Sequence, residues 1–227
     1  MFADADAGRR VPLAVLTDDD ECVLGGGQWA LGDLHTATAW AELPEHDRRA
    51  RARRVVASLV ERGHVLEVSG TDLTLAPGCA LAALARSRPS FLVRPLAPPD
   101  AEVAFGYGIL EDDGSLRGVV VEVRVAGQHH YRLLSPRRAA EGFATWAQRA
   151  TTGDTWGTQL DSVVLEVVRH REGEALEAAA VAVMAPESTR DGVVVRFGGE
   201  RLRLDSAAHD AVADALEGLF AQVAPGA

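Results

Sequence analysis

The sequence predicts an α+β protein: a winged-helix-like N-terminal piece, then two pseudo-twofold-related strand-meander and helix repeats that share an antiparallel sheet. Three observations predict this class. The first is a duplication in the second half. Gly118-Val119-Val120-Val121 leads to a glycine at 127, then Tyr131-Arg132-Leu133-Leu134-Ser135, then an Ala-rich helical run through Phe143 and Trp146. Gly192-Val193-Val194-Val195 leads in the same way to Gly198-Gly199, Leu202-Arg203-Leu204-Asp205-Ser206 and an Ala-rich run through Leu216 and Phe220. The lag holds at about 70 residues with small loop changes, as a fixed-period repeat does. The second observation is a helix, strand, strand, helix pattern before the repeats. The third is composition: 227 residues, 47% hydrophobic and 25% charged, is ordinary for a globular chain. A chain of this length buries roughly 70% of its unfolded surface and needs no disulfide or metal to fold.

These patterns divide the chain into an N-terminal segment (1–44), the winged-helix-like piece (45–89), the first repeat (90–150), a linker (151–160) and the second repeat (161–227). Residues 1–10 read as a frayed tail. Thr17 is placed to cap a helix whose first turn, Asp18-Asp19-Asp20-Glu21, suits the positive end of the helix dipole. Gly25-Gly26-Gly27 breaks it, and Asp33 precedes a short helix with Ala37, Ala39, Trp40 and Leu43. Val55, Val56, Leu59 and Val60 recur at helical spacing, with Gly63 where a C-terminal glycine belongs. His64 to Val68 and Thr71 to Leu75 alternate as strands about a Ser69-Gly70 turn, and a helix from Cys79 to Ala85 follows Pro77-Gly78.

In the first repeat Phe91 to Val93, Val103 to Leu110, Gly118 to Val125 and His130 to Leu134 read as strands. Pro98-Pro99, Asp112-Asp113-Gly114 and Ala126-Gly127 interrupt them, and Ser135-Pro136 starts a helix with a cap and a first-turn proline. In the second repeat Val163 to Val168, Ala178 to Met184, Val193 to Phe197 and Leu202 to Leu204 match them in turn. Asp205-Ser206 then caps a helix with the stripe Val212, Leu216, Leu219 and Phe220.

Charge and residue usage exclude several functions. The formal net charge is −10, and the basic clusters Arg48 to Arg54 and Arg137-Arg138 have acidic residues close by, which disfavours a nucleic-acid grip. The chain has no lysine. A P-loop, a Schiff-base or pyridoxal enzyme and a protein kinase each require one. Its Arg, Ala, Val and Gly bias is that of a GC-rich, actinobacterial type of genome. Cys22 and Cys79 lack metal-ligand spacing; they can pair, but buried reduced thiols are the expectation. The acidic opening and the short apolar run after Arg10 give no signal peptide, and no stretch approaches the ~20 apolar residues of a membrane span. A cytoplasmic location is the expectation.

No metal or cofactor site is expected. His129 and His130 are strand neighbours that point to opposite faces, and no H-E-x-x-H or calcium-loop spacing occurs. Asp18 to Glu21 reads as a solvated helix start. There is no G-x-S-x-G elbow, and Ser135 and Ser206 are accounted for as caps; Ser206 with His209 lacks an orienting acid and oxyanion donors. The candidate partner-binding surface lies on the third strand of the first repeat. If Val119, Val121 and Val123 face inward, Val120, Glu122 and Arg124 face out, beside Gln128, His129 and Tyr131. Trp156, in the Gly/Thr-rich linker, is the expected exposed aromatic.

The order of segments, with Val55-Val56-Ala57-Ser58-Leu59-Val60-Glu61-Arg62-Gly63-His64-Val65, Leu81 to Pro89 and the two repeat units, resembles the EspG family of type VII (ESX) secretion-associated chaperones. The resemblance implies a pseudo-twofold α+β body that binds PE–PPE or related helical substrates in the cytoplasm before export. The leading expectation is thus a non-catalytic, cofactor-free protein-binding chaperone. Two other readings compete with it. One is a winged-helix regulator with the Arg48 to Arg54 cluster on DNA and the repeats as a sensor. The other is an enzyme with a site between the repeats that uses His129, His130 and His209.

Overall fold

The computed structural model describes residues 1–25, 34–96, 104–111, 113–152, 162–169, 177–184, 193–197, 200–204 and 209–223. In chain order its elements are α1 (Phe2–Asp6), β1 (Val11–Thr17), α2 (Asp18–Leu24), α3 (Leu34–Glu42), α4 (Glu45–Glu61), β2 (Val65–Ser69), β3 (Asp72–Leu75) and α5 (Pro77–Ser87). There follow β4 (Phe91–Leu96), β5 (Ala104–Leu110), β6 (Leu116–Val125), β7 (Gln128–Leu134) and α6 (Pro136–Thr152). The last are β8 (Ser162–Arg169), β9 (Glu177–Met184), β10 (Val193–Phe197), β11 (Glu200–Leu204) and α7 (His209–Val223). The fold is α+β, with a mostly antiparallel sheet and a second, two-stranded sheet. Two compact units divide it: Met1–Val11, Ser90–Val123 and Leu133–Ala227 form one, and Pro12–Pro89 with Arg124–Arg132 the other.

In the first unit the strand order is β6-β5-β4-β8-β9-β10-β11, and every one of these neighbours is antiparallel. The central pair is β4 with β8, in register from Phe91 opposite Arg169 to Leu96 opposite Val164. From that pair β5, β6 and β9, β10 run outward in chain order, the order two meanders give when they join at their first strands. Helices α6 and α7 pack on each other and on β8 and β9. The buried face of α6 is a row of alanines (Ala139, Ala140, Ala144, Ala147, Ala150) with one large residue, Phe143. Small side chains let its partner come close, and α7 supplies the bulk through Val212, Leu216, Leu219 and Phe220. Phe220 stacks on Phe91 with ring centroids 5.2 Å apart. Burial of each such side chain contributes about 1.5–3 kcal/mol.

Two glycines of β5, Gly106 and Gly108, leave the space that the Phe143 and Phe91 rings fill. A Cβ on Gly108 would come within 2.3 Å of Phe91, and one on Gly106 within 2.9 Å of Phe143. The segment read as a frayed tail is instead ordered. It contains α1, with Ala5 buried, Arg117 over the Phe2 ring at 4.9 Å and Arg117 paired to Asp6 at 3.4 Å. Thr151 and Thr152, assigned above to the linker, extend α6, and Thr151 is buried.

In the second unit Thr17 caps α2, as the sequence led one to expect, and Asp20 returns the bond to complete a reciprocal capping box. Helix α4 ends in a Schellman arrangement: Gly63 has φ +72°, its N–H reaches the Val60 carbonyl and the His64 N–H reaches that of Leu59. Arg62, just before, donates to Asp20 Oδ1 at 2.7 Å and to the Val15 carbonyl at 2.9 Å, which ties α4 to α2 and β1. The β2–β3 hairpin turns at Gly70, φ +62°. Pro77 opens α5 at the position where its missing N–H costs nothing. Strand β7 lies beside β1 and is linked to β6 by Ala126-Gly127, both at positive φ. Among the described residues no helix is long and apolar enough to cross a membrane.

Candidate functional site

The second unit holds a cluster of buried polar side chains supplied by α2, α5 and β7. On α5 the buried positions are Cys79, Ala82, Ala85 and Arg86, so a guanidinium sits on the helix stripe that packs inward. On β7 the strand alternation buries His129, Tyr131 and Leu133 together, while Gln128 and Arg132 are exposed. From α2, Glu21 is buried beside Cys22. Arg86, Glu21 and Tyr131 are only 6%, 3% and 2% exposed.

Glu21 is the hub. Its Oε1 accepts from the Arg86 guanidinium and from the Tyr131 hydroxyl, and His129 Nδ1 lies 3.2 Å from it. Arg86 Nη1 also donates to the Tyr131 oxygen at 2.6 Å. The other face of the imidazole, Nε2, is 2.8 Å from Asp18 Oδ1. Each ring nitrogen thus lies within hydrogen-bonding reach of a carboxylate oxygen. A charge buried alone costs many kcal/mol, so the cluster stands because each charge has an opposite partner and hydrogen bonds.

A cavity of about 270 Å³ opens beside the cluster. Leu16, Leu24, Ala82, Ala83 and Leu84 form its apolar walls. Glu21, Arg86 and Tyr131 form its polar side, and Ser87 and Arg88 stand where α5 ends. Glu21 and His129 are metal-ligand types, but the Arg86 guanidinium already supplies the positive charge on Glu21. The neighbouring thiols are not nucleophiles at neutral pH. Burial, with the negative charges of Asp19, Asp18 and Glu21, pushes the Cys22 thiol up to about 11, and burial pushes Cys79 up to about 11. Both are free and buried.

The expected partner-binding set is only partly a surface. Glu122 is 0% exposed, not outward-facing, and accepts a hydrogen bond from the Tyr107 hydroxyl within the first unit. Val119 and Val120 are both fully buried, so β6 is covered on two faces at that point and the inward/outward alternation assumed for it does not apply. His129 and Tyr131 are buried as well, in the cluster above. Arg124 is half-buried and Gln128 is exposed. Trp156, Ser206, Asp33 and Pro98-Pro99 lie outside the described residues. Of the other suspected groups, His209 hydrogen-bonds Thr145 at 3.0 Å and the Glu141 carbonyl at 3.1 Å in the first unit. On α4, Arg49 pairs with Glu45, and Arg51 pairs with Asp19 at 2.6 Å while covering the Trp40 ring at 5.8 Å.

Sequence reading missed Arg86 and Glu21. Arg86 lies seven residues after Cys79 and four after Ala82, on the apolar stripe, and that spacing was the available signal. Glu21 was hidden in an acidic run that resembles any solvated helix start. No protein-family model and no curated protein matches the chain.

Proposed function

We propose that the protein is a non-catalytic protein-binding chaperone that covers an apolar tip of a helical export substrate of the type VII class, and that its body arose by duplication of a sheet-and-helix module. The observation that carries this reading is the β2–β3 hairpin. Leu66 is 64% and Val68 48% exposed, on a sheet of only two strands. Val60, near the end of the helix that leads into it, is also exposed. Apolar side chains held out on a short hairpin are unfavourable in water and useful against a partner's apolar surface. A two-stranded hairpin also has edges on which a partner can pair. The segment order that resembles EspG chaperones supplies the substrate class.

The test is affinity capture from the native cell, with the wild-type chain and with Leu66→Asp/Val68→Asp. The wild type is expected to retain a helical export substrate at near one-to-one ratio, and the variant to lose it while keeping its circular dichroism and melting temperature. Recovery of no helical substrate, or equal recovery by the variant, refutes the reading.

A further inference from the structure

We propose that the cavity beside Glu21, Arg86 and Tyr131 is a binding site for a neutral, flat aromatic group of two-ring size that donates one hydrogen bond, an indole-class ligand. This goes beyond the hairpin reading and does not depend on it. Three observations define the ligand. The first is size: a cavity of about 150 Å³ holds one benzene ring, so about 270 Å³ suits a fused pair. The second is the lining, in which five apolar side chains face one polar side, the usual composition of a small-molecule site.

The third observation is the sign of the polar side. Residues that end two helices line the cavity: Leu24 and Gly25 from α2, Ser87 and Arg88 from α5. Helix C-termini present carbonyl oxygens and a partial negative charge. Together with the Glu21 carboxylate they favour a donor over an acceptor. An anionic head would face the Glu21 carboxylate and the negative ends of the two helix dipoles. A cationic head would face Arg86, held in place by Glu21 and Tyr131, and Arg88 at the mouth. A neutral N–H or phenolic O–H meets neither repulsion. The buried ion pair also gives the polar side a fixed geometry before any ligand arrives, so little ordering is required on binding.

The ligand chemistry can come from a partner's tryptophan side chain or from a free molecule, and the experiment separates the two. The full-length, isotope-labelled chain is titrated with indole, 1-methylindole and N-acetyl-tryptophanamide, with amide shifts as readout. Indole is expected to shift residues 82–88 and Tyr131 saturably. 1-Methylindole, which keeps the rings but lacks the donor, is expected to bind about 10-fold more weakly, the loss of one hydrogen bond to a buried polar group. Tighter binding of N-acetyl-tryptophanamide than of indole assigns the site to a protein side chain, and the reverse order to a free molecule. Ala83→Trp, which fills the cavity, is expected to abolish the indole shifts. Absence of saturable shifts in the wild type, shifts confined to other residues, or equal affinity for indole and 1-methylindole would overturn the proposal. The comparison of the two indoles needs no variant, so it stands even if Ala83→Trp folds poorly.

Discussion

Replacing Arg86 by methionine tests the idea that the buried cluster is held by charge pairing. The side chain keeps an apolar stem of similar length, so packing changes little, while the charge disappears. What remains is Glu21, 3% exposed, with the Tyr131 hydroxyl and His129 as its other named partners. Breaking a buried pair by removing one member costs about 3–5 kcal/mol, because the surviving charge stays out of water. For a chain of 150–250 residues, 1 kcal/mol moves the melting temperature by about 2–4 °C, so a loss of about 6–20 °C is expected. Calorimetry and urea denaturation followed by far-UV circular dichroism measure it. The companion is Glu21→Gln/Arg86→Met. The neutral amide still accepts from Tyr131 but no longer needs a counter-charge, so the double variant should recover more than half of the loss. A double-mutant cycle then gives the coupling directly. A loss below about 1 kcal/mol for Arg86→Met, or a double variant no more stable than the single one, would refute the reasoning, since surface-type pairs are worth only ~0–1 kcal/mol.

Gly108→Ala should destabilise by about 1–3 kcal/mol in the same denaturation assay, because its Cβ would sit 2.3 Å from the Phe91 ring, which Phe220 holds in place. Ala126→Asn should stabilise by a few tenths of a kcal/mol, because Ala126 has φ +50° ahead of Gly127 and Asn-Gly is the preferred pair for such a turn. Cys22 and Cys79 should resist a thiol reagent at pH 8 in the folded chain and react at once in denaturant. The same shifts set a pH dependence. Their folded values, about 11, lie above the ordinary thiol value, so the unfolded state gives up its thiol protons first and stability falls as pH rises towards about 11. Cys22→Ala/Cys79→Ala should flatten that limb of a stability-against-pH curve.

The local parts of this protein were legible because local physics sets them. The Thr17 cap with its acidic first turn, the glycine stop at Gly63, the Gly70 turn and the serine-proline start of α6 all require particular residues at particular positions, and the structure has them there. The strands from Phe91 onward were legible for the same reason, since valine-rich alternation bounded by turns has few other solutions. What lay beyond the sequence was which faces are covered. Alternation along β6 says that Val119 and Val120 point to opposite sides; it does not say that both sides are buried, and so it puts Glu122 at the surface where the structure buries it. In the same way, strand period put His129 and Tyr131 on one face, but only tertiary structure brings α2 and α5 to that face and sets a carboxylate and a guanidinium beside them. Residues 45 to 111 positions apart along the chain meet there. Periods of two and 3.6 residues record direction within one element, whereas burial depends on what the neighbouring elements bring. Contacts at that distance in sequence carry no local signature. The strands, the caps and the turns are therefore properties of the text itself, while the charged cluster and its cavity exist only once separate segments have packed.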